Sequence, residues 1–196
     1  MKLRGWILFN DRRLIFGFMK KPLIIVGAGG LGREVACLVE DILDVYVQGY
    51  YDDGEALGKL VLGRYEVLGN IQSLKETKTE VDVVIAYGNP KIRKKCWDNL
   101  SENPNIHFPI LIHPTALVMN IDRIQFGKGI TVFPKVVLTT DLSLGNNIII
   151  HVGANVHHDV SVGDHSVIMP GARLVMSEQF EEESFIESNY FKPHSF

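Results

Sequence analysis

The histidines in the C-terminal half of the chain are the residues best suited to move a proton. His157 and His158 are adjacent, and Asp159 follows them directly. A carboxylate beside an imidazole can orient the ring and raise its basicity, which suits a general base that deprotonates an amine or a hydroxyl. The alternative is that both histidines are exposed residues of a turn and have no catalytic role. The local sequence leaves that alternative open.

A glycine-rich turn in the N-terminal half is suited to bind a phosphate. The residues from Gly27 to Gly32 read GAGGLG and lie between an apolar run and an amphipathic segment. Glycines let backbone N–H groups approach a phosphate, and a helix N-terminus adds a partial positive charge. Asp52 and Asp53 follow about twenty residues later, where a carboxylate can accept from a ribose or a base. The alternative is a tight strand-to-helix turn beside a solvated acidic loop.

The elements around the glycine-rich turn predict a small parallel sheet. PLIIV is a buried strand, DVYVQGYYDD a second strand and VDVVIAYGN a third, while GLGREVACLVEDI and PKIRKKCWDNL are predicted helices. Alternation of strands and helices in this order indicates a Rossmann-like domain. A domain of about ninety residues is short for a dinucleotide site, so a mononucleotide or a nucleotide-sugar is the better fit. The domain boundary is expected near residue 108.

The C-terminal half repeats with a period of six residues. A β-helix that turns a corner every six residues produces this period, whereas an α-helix or a plain strand does not. Gly127, Gly145 and Gly163 stand eighteen residues apart, which is three hexads and one full coil. Because Val156 points inward, His157 and His158 are expected at or near a coil edge. The in-phase apolar positions are Phe126, Val132, Leu138, Leu144, Ile150, Val156, Val162, Ile168, Leu174, Phe180 and Ile186.

Composition excludes several classes of partner. A formal net charge of −3 offers no basic surface for nucleic acid. The two cysteines, Cys37 and Cys96, lack the spacing of a disulfide framework or a zinc site, so a reduced, cytoplasmic setting is expected. No apolar run reaches the length needed to span a bilayer, which argues against membrane insertion.

Five segments together resemble a known family. IIVGAGGLGREV, YYDD, IAYGNPKIRKK, LIHPTA and NVHHDVSVGDHSVIMPGARL are similar to the left-handed β-helix acyltransferases that carry an N-terminal Rossmann-like domain. This family includes the sialic-acid O-acetyltransferases and the UDP-4-amino-sugar N-acetyltransferases of bacterial glycan synthesis. The opening residues predict an N-terminal extension at 1–20, because Met19 followed by KKPLIIVG is typical of a natural start. The resemblance implies a nucleotide-sugar-binding α/β domain at 21–108 and a C-terminally short left-handed parallel β-helix at 109–196.

The resemblance also assigns roles to residues of this chain. It implies that His158 is the catalytic base, with Asp159 as its acidic partner, and that acetyl-CoA lies between the coils of adjacent subunits in a homotrimer. No metal is required. The residues implied to hold the nucleotide-sugar are Gly29, Leu31, Gly32, Asp52, Asp53, Gly88 and Asn89. Those expected at the acetyl-CoA cleft are Gly153, His165, Val167 and Gly171, with the N–H of Gly153 or Gly171 stabilising the oxyanion.

The C-terminal residues depart from the pattern of this family. Phe180 is followed by Glu181 where an apolar residue and a glycine are expected. From about residue 176 we expect at most a partial coil, folded over Leu174 as a cap, with weak acetyl-CoA binding as the result.

The sequence therefore predicts an acetyl-CoA-dependent acetyltransferase that acts on the amine or hydroxyl of a sugar. One alternative is a non-catalytic nucleotide-sugar-binding or scaffold relative, disabled by a truncated C-terminus. A second is an NAD-linked oxidoreductase, which is disfavoured because the coils supply no site for hydride transfer.

Overall fold

The computed structural model describes residues 20–192 and, within the preceding residues, the backbone of the strand Ile7–Leu8. That strand, β1, pairs in parallel with residues 110–111. The remainder of the expected N-terminal extension lies outside the described residues.

The N-terminal domain is a twisted sheet with helices on both faces. Its strand order is β4-β5-β3-β2-β6-β7, and every pairing is parallel except that between β4 and β5. This arrangement confirms the predicted Rossmann-like topology. The elements are β2 Lys21–Val26, α1 Gly30–Glu40, β3 Val45–Tyr51, β4 Leu60–Val61, β5 Tyr65–Gly69, α2 Ile71–Lys75, β6 Val81–Ile85, α3 Pro90–Leu100 and β7 Ile106–His107.

Local sequence explains where these elements begin. From Leu23 to Val26, β2 is a continuous buried apolar run because helices cover both faces of the parallel sheet. α3 begins at Pro90, whose missing N–H costs nothing in the first helical turn. Asn89 caps this helix by accepting from the N–H groups of Lys91 and Ile92 at 3.0 and 3.3 Å.

The C-terminal domain is a left-handed parallel β-helix built from three sheets. Sheet A contains β1, β8, β11, β14, β17 and β20, sheet B contains β9, β12, β15 and β18, and sheet C contains β10, β13, β16 and β19. The strands are β8 Ile110–Ile112, β9 Leu117–Val118, β10 Ile124–Phe126, β11 Thr131–Val132, β12 Val137–Leu138, β13 Leu142–Leu144, β14 Ile149–Ile150, β15 Asn155–Val156, β16 Ser161–Val162, β17 Val167–Ile168, β18 Arg173–Leu174, β19 Gln179–Phe180 and β20 Phe185–Ile186.

The register confirms the coil length predicted from the glycine spacing. Val132 pairs with Ile150, and Val156 pairs with Leu174, so each residue lies beside the one eighteen positions further on. A Cβ on Gly127 would collide with the backbone carbonyl of Gly145 in the next coil. Glycine is therefore required there by the close approach of successive coils.

Each hexad also carries a turn residue with a left-handed backbone conformation. From residue 129 onward, every sixth residue has φ between 53° and 70°. Glycine adopts this conformation freely, and asparagine and aspartate tolerate it better than most other residues. The turn positions are Gly129, Lys135, Asp141, Asn147, Gly153, Asp159, His165, Gly171, Ser177, Glu183 and Asn189.

The coils continue further toward the C-terminus than the sequence predicted. β19 pairs with β16, β20 pairs with β17, and Phe191 bridges to Arg173 in sheet B. One regular coil is therefore completed between Arg173 and Phe191. The pattern persists without glycine because Ser177, Glu183 and Asn189 occupy the turn positions. The expected cap is present in part, since the Tyr190 ring packs edge-on against Phe180 at 5.8 Å.

Candidate functional site

The glycine-rich loop ends in an open helix N-terminus. Gly29 is the N-cap of α1, no side chain caps this helix among the described residues, and a Cβ built on Gly29 would meet only open space. Gly32 has the opposite role, because its Cβ would collide with the carbonyl of Gly27. The loop therefore packs tightly against the sheet on one side and presents free N–H groups on the other. Such groups at a helix N-terminus bind phosphate.

The structure gives Asp52 and Asp53 different environments. Asp52 accepts from the N–H groups of Ala28 and Gly54 at 2.8 and 2.7 Å, so both of its oxygens are engaged in shaping the loops. Asp53 accepts from the Ile71 N–H at 2.8 Å through Oδ1. Its Oδ2 has no hydrogen-bond partner among the described residues.

Gly88 completes the same edge of the sheet. It follows β6, is exposed, and its Cβ would contact only Leu31, at 3.9 Å. The loops after β2, β3 and β6 therefore meet at the carboxyl ends of parallel strands, where open α/β sheets bind their ligands. The residues gathered at this edge are Gly29, Leu31, Gly32, Asp52, Asp53, Gly88 and Asn89.

The β-helix presents three edges, which are named here by the sheets they join. Turns from sheet A to sheet B form the AB edge, turns from B to C form the BC edge, and turns from C to A form the CA edge. His158 lies on the BC edge, between β15 and β16. Its Nδ1 and Asp159 Oδ2 are 2.7 Å apart, and both side chains are about half exposed. Nε2 of His158 has no hydrogen-bond partner among the described residues.

The N-terminal domain contacts the AB edge through α1. His113 Nδ1 accepts from the Thr115 N–H at 3.1 Å, so Nε2 carries the proton and donates to Asp41 Oδ2 at 2.9 Å. Asp41 is the C-cap of α1. The histidine of the LIHPTA segment therefore joins the first coil to the helix that follows the glycine-rich loop.

A cavity of about 520 Å³ lies between α1 and the AB edge, and Gly30 of the glycine-rich loop is part of its lining. His151 also lines it, is 7% exposed and stacks on Phe133 with ring centroids 4.9 Å apart. The ring has no hydrogen-bond partner among the described side chains, and Glu34 Oε2 is 3.9 Å from its Nδ1. Burial, aided by the charge of Arg93, lowers the pKa of His151 to about 4. The sequence analysis did not identify this cavity, which forms between residues far apart in the chain.

The residues expected at the acetyl-CoA cleft lie away from His158 within one chain. Gly153 and Gly171 are turn residues of the AB edge. His165 is on the CA edge and 4% exposed, and Val167, in sheet A, is fully buried. His165 packs edge-on against Trp97 of α3, with centroids 6.0 Å apart. The N-terminal domain of the same chain therefore covers the ring that was expected to face a ligand.

Acid should destabilise the protein through His151. The pKa of this group is lowered from 6.5 to about 4 in the folded state, so its stabilising contribution is complete above pH 6.5 and is lost as the pH falls toward 4. The expected loss is about 2 kcal/mol between pH 7.5 and pH 5. Denaturant unfolding across this range measures it, and His151→Asn should flatten the pH dependence even though it also removes the stacking on Phe133. An equal pH dependence in both proteins would contradict the assignment.

Residues 20–192 contain no group of three or more His, Cys, Asp or Glu side chains that could hold a metal ion. In the same region, no helix has the length and apolar character to cross a membrane.

Comparisons with known proteins identify relatives of this architecture. A family model described as the PglD N-terminal domain matches residues 22–100. GDP-perosamine N-acetyltransferase from Escherichia coli O157:H7 is 30% identical over 172 residues, which cover 84% of this chain and 74% of that relative.

Solved structures share the fold of both domains. WeeI from Acinetobacter baumannii AYE superposes with a TM-score of 0.76 at 22% identity, covering 90% of this chain and 82% of that one. A variant of GDP-perosamine N-acetyl transferase from Caulobacter crescentus, in complex with CoA and GDP-perosamine, has a TM-score of 0.71 at 20% identity, with 89% of each chain covered.

The two-domain fold, together with the similarity to this N-acetyltransferase from Escherichia coli, defines an acyltransferase of the left-handed β-helix class. The chain belongs to the family of acetyl-CoA-dependent sugar acetyltransferases that includes the GDP-perosamine enzyme.

Proposed function

We propose that this enzyme transfers the acetyl group of acetyl-CoA to the amine of a nucleotide-linked amino sugar used in bacterial surface glycans. The observation that carries the proposal is the 30% identity to a GDP-perosamine N-acetyltransferase across both domains. The open loop edge supports it, because it offers N–H groups for a diphosphate and the free Asp53 oxygen for a ribose. A setting in the cytoplasm fits a nucleotide-sugar and acetyl-CoA as substrates.

The proposed substrate lies across the N-terminal domain. Its nucleoside contacts the loops that carry Asp53 and Gly88, and its diphosphate lies at the N-terminus of α1. The hexose then extends past Gly30 into the cavity at the AB edge, where the neutral ring of His151 faces it.

The proposed chemistry is direct transfer in a ternary complex. His158 takes a proton from the amine as its nitrogen attacks the thioester carbonyl, and Asp159 holds the imidazole in the required orientation. The N–H groups of Gly153 and Gly171, which were expected to stabilise the oxyanion, already donate to the carbonyls of Pro134 and Val152, both at 3.1 Å, so neither is free for that role. The C–S bond then breaks, and His158 passes the proton it took from the amine to the departing sulfur, so coenzyme A leaves as the thiol. His151 is the weaker candidate for the base, because a pKa of about 4 is far below neutral pH.

The proposed active site is shared between copies of the chain. The N-terminal domain contacts the AB edge through Asp41 and the CA edge through Arg93. The contacts described for the BC edge come from coil residues, such as Arg123 with Asp141. The nucleotide loops and His158 thus lie on different sides of one β-helix. We infer that a neighbouring copy supplies His158, in a homotrimer.

A turnover assay tests the proposed reaction. Acetyl-CoA is incubated with GDP- and UDP-linked 4-amino sugars and their hydroxyl counterparts, thiol release is followed, and product masses are determined. We expect a mass increase of one acetyl group on an amino sugar. Transfer only to a hydroxyl would correct the acceptor to oxygen, and binding of the nucleotide-sugar without turnover would favour the scaffold alternative. Substrate-dependent absorbance from a nicotinamide would favour the oxidoreductase.

Complementation tests the shared site. His158→Ala removes the base, and Gly88→Phe fills the nucleotide site at a position with open space beside it. Each variant alone should be inactive. When both are co-expressed in equal amounts, random assembly of trimers should restore about one quarter of wild-type activity, because that fraction of shared sites is intact. No activity in the mixture, with mixed trimers verified by two affinity tags, would place the whole site within one chain.

A further inference from the structure

Arg93 is a charged side chain fully buried between the two domains. It lies on α3 and has no exposed surface. Its described hydrogen bonds all end on neutral oxygens, and burial lowers its pKa to about 9. Burying a cation without a carboxylate partner is costly, and an apolar residue would fill such a space at a lower cost. The groups to which the guanidinium donates should therefore indicate why a charged residue occupies this position.

One side of the guanidinium holds the end of β6 and the loop after it. Nη1 donates to the carbonyl of Ile85 at 2.6 Å and to that of Tyr87 at 3.1 Å. Tyr87 immediately precedes Gly88 and Asn89, two of the residues at the proposed nucleotide site. Arg93 thus fixes the backbone from which this part of the site is built.

The other side of the guanidinium holds a turn residue of the CA edge. Nη2 donates to the Asn147 carbonyl at 2.8 Å and to its Oδ1 at 2.5 Å, and Nε donates to the same carbonyl at 3.3 Å. Asn147 is 1% exposed and has φ of 53°. Its Nδ2 donates to the Arg93 carbonyl at 3.3 Å and faces His165 Nδ1 at 3.1 Å. The network therefore continues to the histidine beneath Trp97.

We propose that Arg93 is a positioning residue for acetyl transfer, which sets the place of the loop Tyr87–Asn89 relative to the coils by bonding to both at once. The proposal rests on the proposed function, because it assumes that a nucleotide-sugar bound at this loop must reach the coil edges. Displacement of a bound substrate by about 1 Å is enough to reduce the rate about 100-fold. A single planar group with donors on two sides suits this role, and lysine cannot reproduce it.

Two substitutions distinguish the hydrogen bonds of Arg93 to the coil from its hydrogen bonds to the loop after β6. Asn147→Gly keeps the left-handed turn and the backbone carbonyl but removes the side-chain amide, so only the contact with the coil is weakened. We expect kcat to fall about 10-fold or more while KM for both substrates stays within about twofold of wild type. Arg93→Met also releases the Tyr87 carbonyl and should raise KM for the nucleotide-sugar about 10-fold as well. Arg93→Lys should rescue stability more than kcat.

Glu183→Gly is the matched control, because Glu183 occupies the corresponding turn position two coils further along the CA edge. It should leave kcat and both KM values unchanged. Assays run well below the melting temperature of each variant, measured separately. Kinetic constants equal to those of wild type in folded Asn147→Gly would overturn the proposal and leave Arg93 a structural residue. Asn147→Gly decides the question if Arg93→Met does not fold.

Calorimetry of nucleotide binding tests the role of Arg93 even if the proposed acetyl transfer is wrong. If wild-type enzyme acetylates none of the sugars, binding of GDP and UDP is measured instead. Weaker nucleotide binding in Arg93→Met but not in Asn147→Gly would still support a role of Arg93 at the loop. Equal nucleotide binding in all variants would refute that role.

Discussion

Replacement of His158 by alanine should lower kcat by about two to four orders of magnitude, the usual effect of removing a general base. The side chain is exposed on the BC edge and its only described hydrogen bond is to Asp159, so the fold should be unaffected. Steady-state kinetics with a nucleotide-linked amino sugar measure the effect. The melting temperature should change little.

Neighbouring histidines provide the controls for this substitution. His157→Ala alters an exposed residue directly beside His158, whereas His151→Ala alters the ring in the cavity of the AB edge. Neither change should reduce kcat as much as His158→Ala. Retention of most activity in His158→Ala, together with its loss in one of the other two variants, would show that the base has been assigned to the wrong residue.

Joint replacement of Asp52 and Asp53 by alanine should weaken binding of the nucleotide-sugar about 10- to 100-fold, the range for losing hydrogen bonds to a charged group. Affinity for acetyl-CoA should not change, because the proposed acetyl-CoA site is formed by the coils. Isothermal calorimetry with each ligand measures both affinities. Equal weakening for both ligands would refute this division between the domains.

Single substitutions distinguish the two aspartates. Asp53→Ala should weaken binding of the nucleotide-sugar directly, because Asp53 Oδ2 has no partner among the described residues and is open to the ligand. Asp52→Ala should act through the loop, since it releases the N–H groups of Ala28 and Gly54. We therefore expect Asp52→Ala to lower the melting temperature more than Asp53→Ala, which releases only the N–H group of Ile71.

The coils could be predicted because each hexad repeats the same physical requirement. An inward apolar residue such as Val156 or Ile168 recurs every six residues, and this period can be read directly from the sequence. The turn positions were less visible, because Lys135, Ser177 and Glu183 adopt a conformation that their residue types do not favour. Stacking of successive coils imposes that conformation. For this reason the C-terminal coils extended further than their composition suggested.

Contacts across long sequence separations explain what the sequence could not predict about the site. Arg93 and Asn147 are 54 residues apart, and nothing in the local sequence of either residue indicates the other. The same holds for the cavity that joins Gly30 to His151. His165 could be recognised as a coil residue, but its burial depends on where Trp97 of the other domain packs.

Uniform stacking of the coils has a consequence for how this enzyme can change in length. Each added set of eighteen residues advances the β-helix by about 4.8 Å, the spacing between neighbouring strands. One extra coil inserted between Asn147 and the turn that carries His158 would move the imidazole of His158 by this distance along the axis. The imidazole would then be too far from the substrate amine for a hydrogen bond. Coils added beyond Asn189 would leave that distance unchanged. Variation in coil number among active relatives should therefore be confined to the end of the β-helix distant from the N-terminal domain.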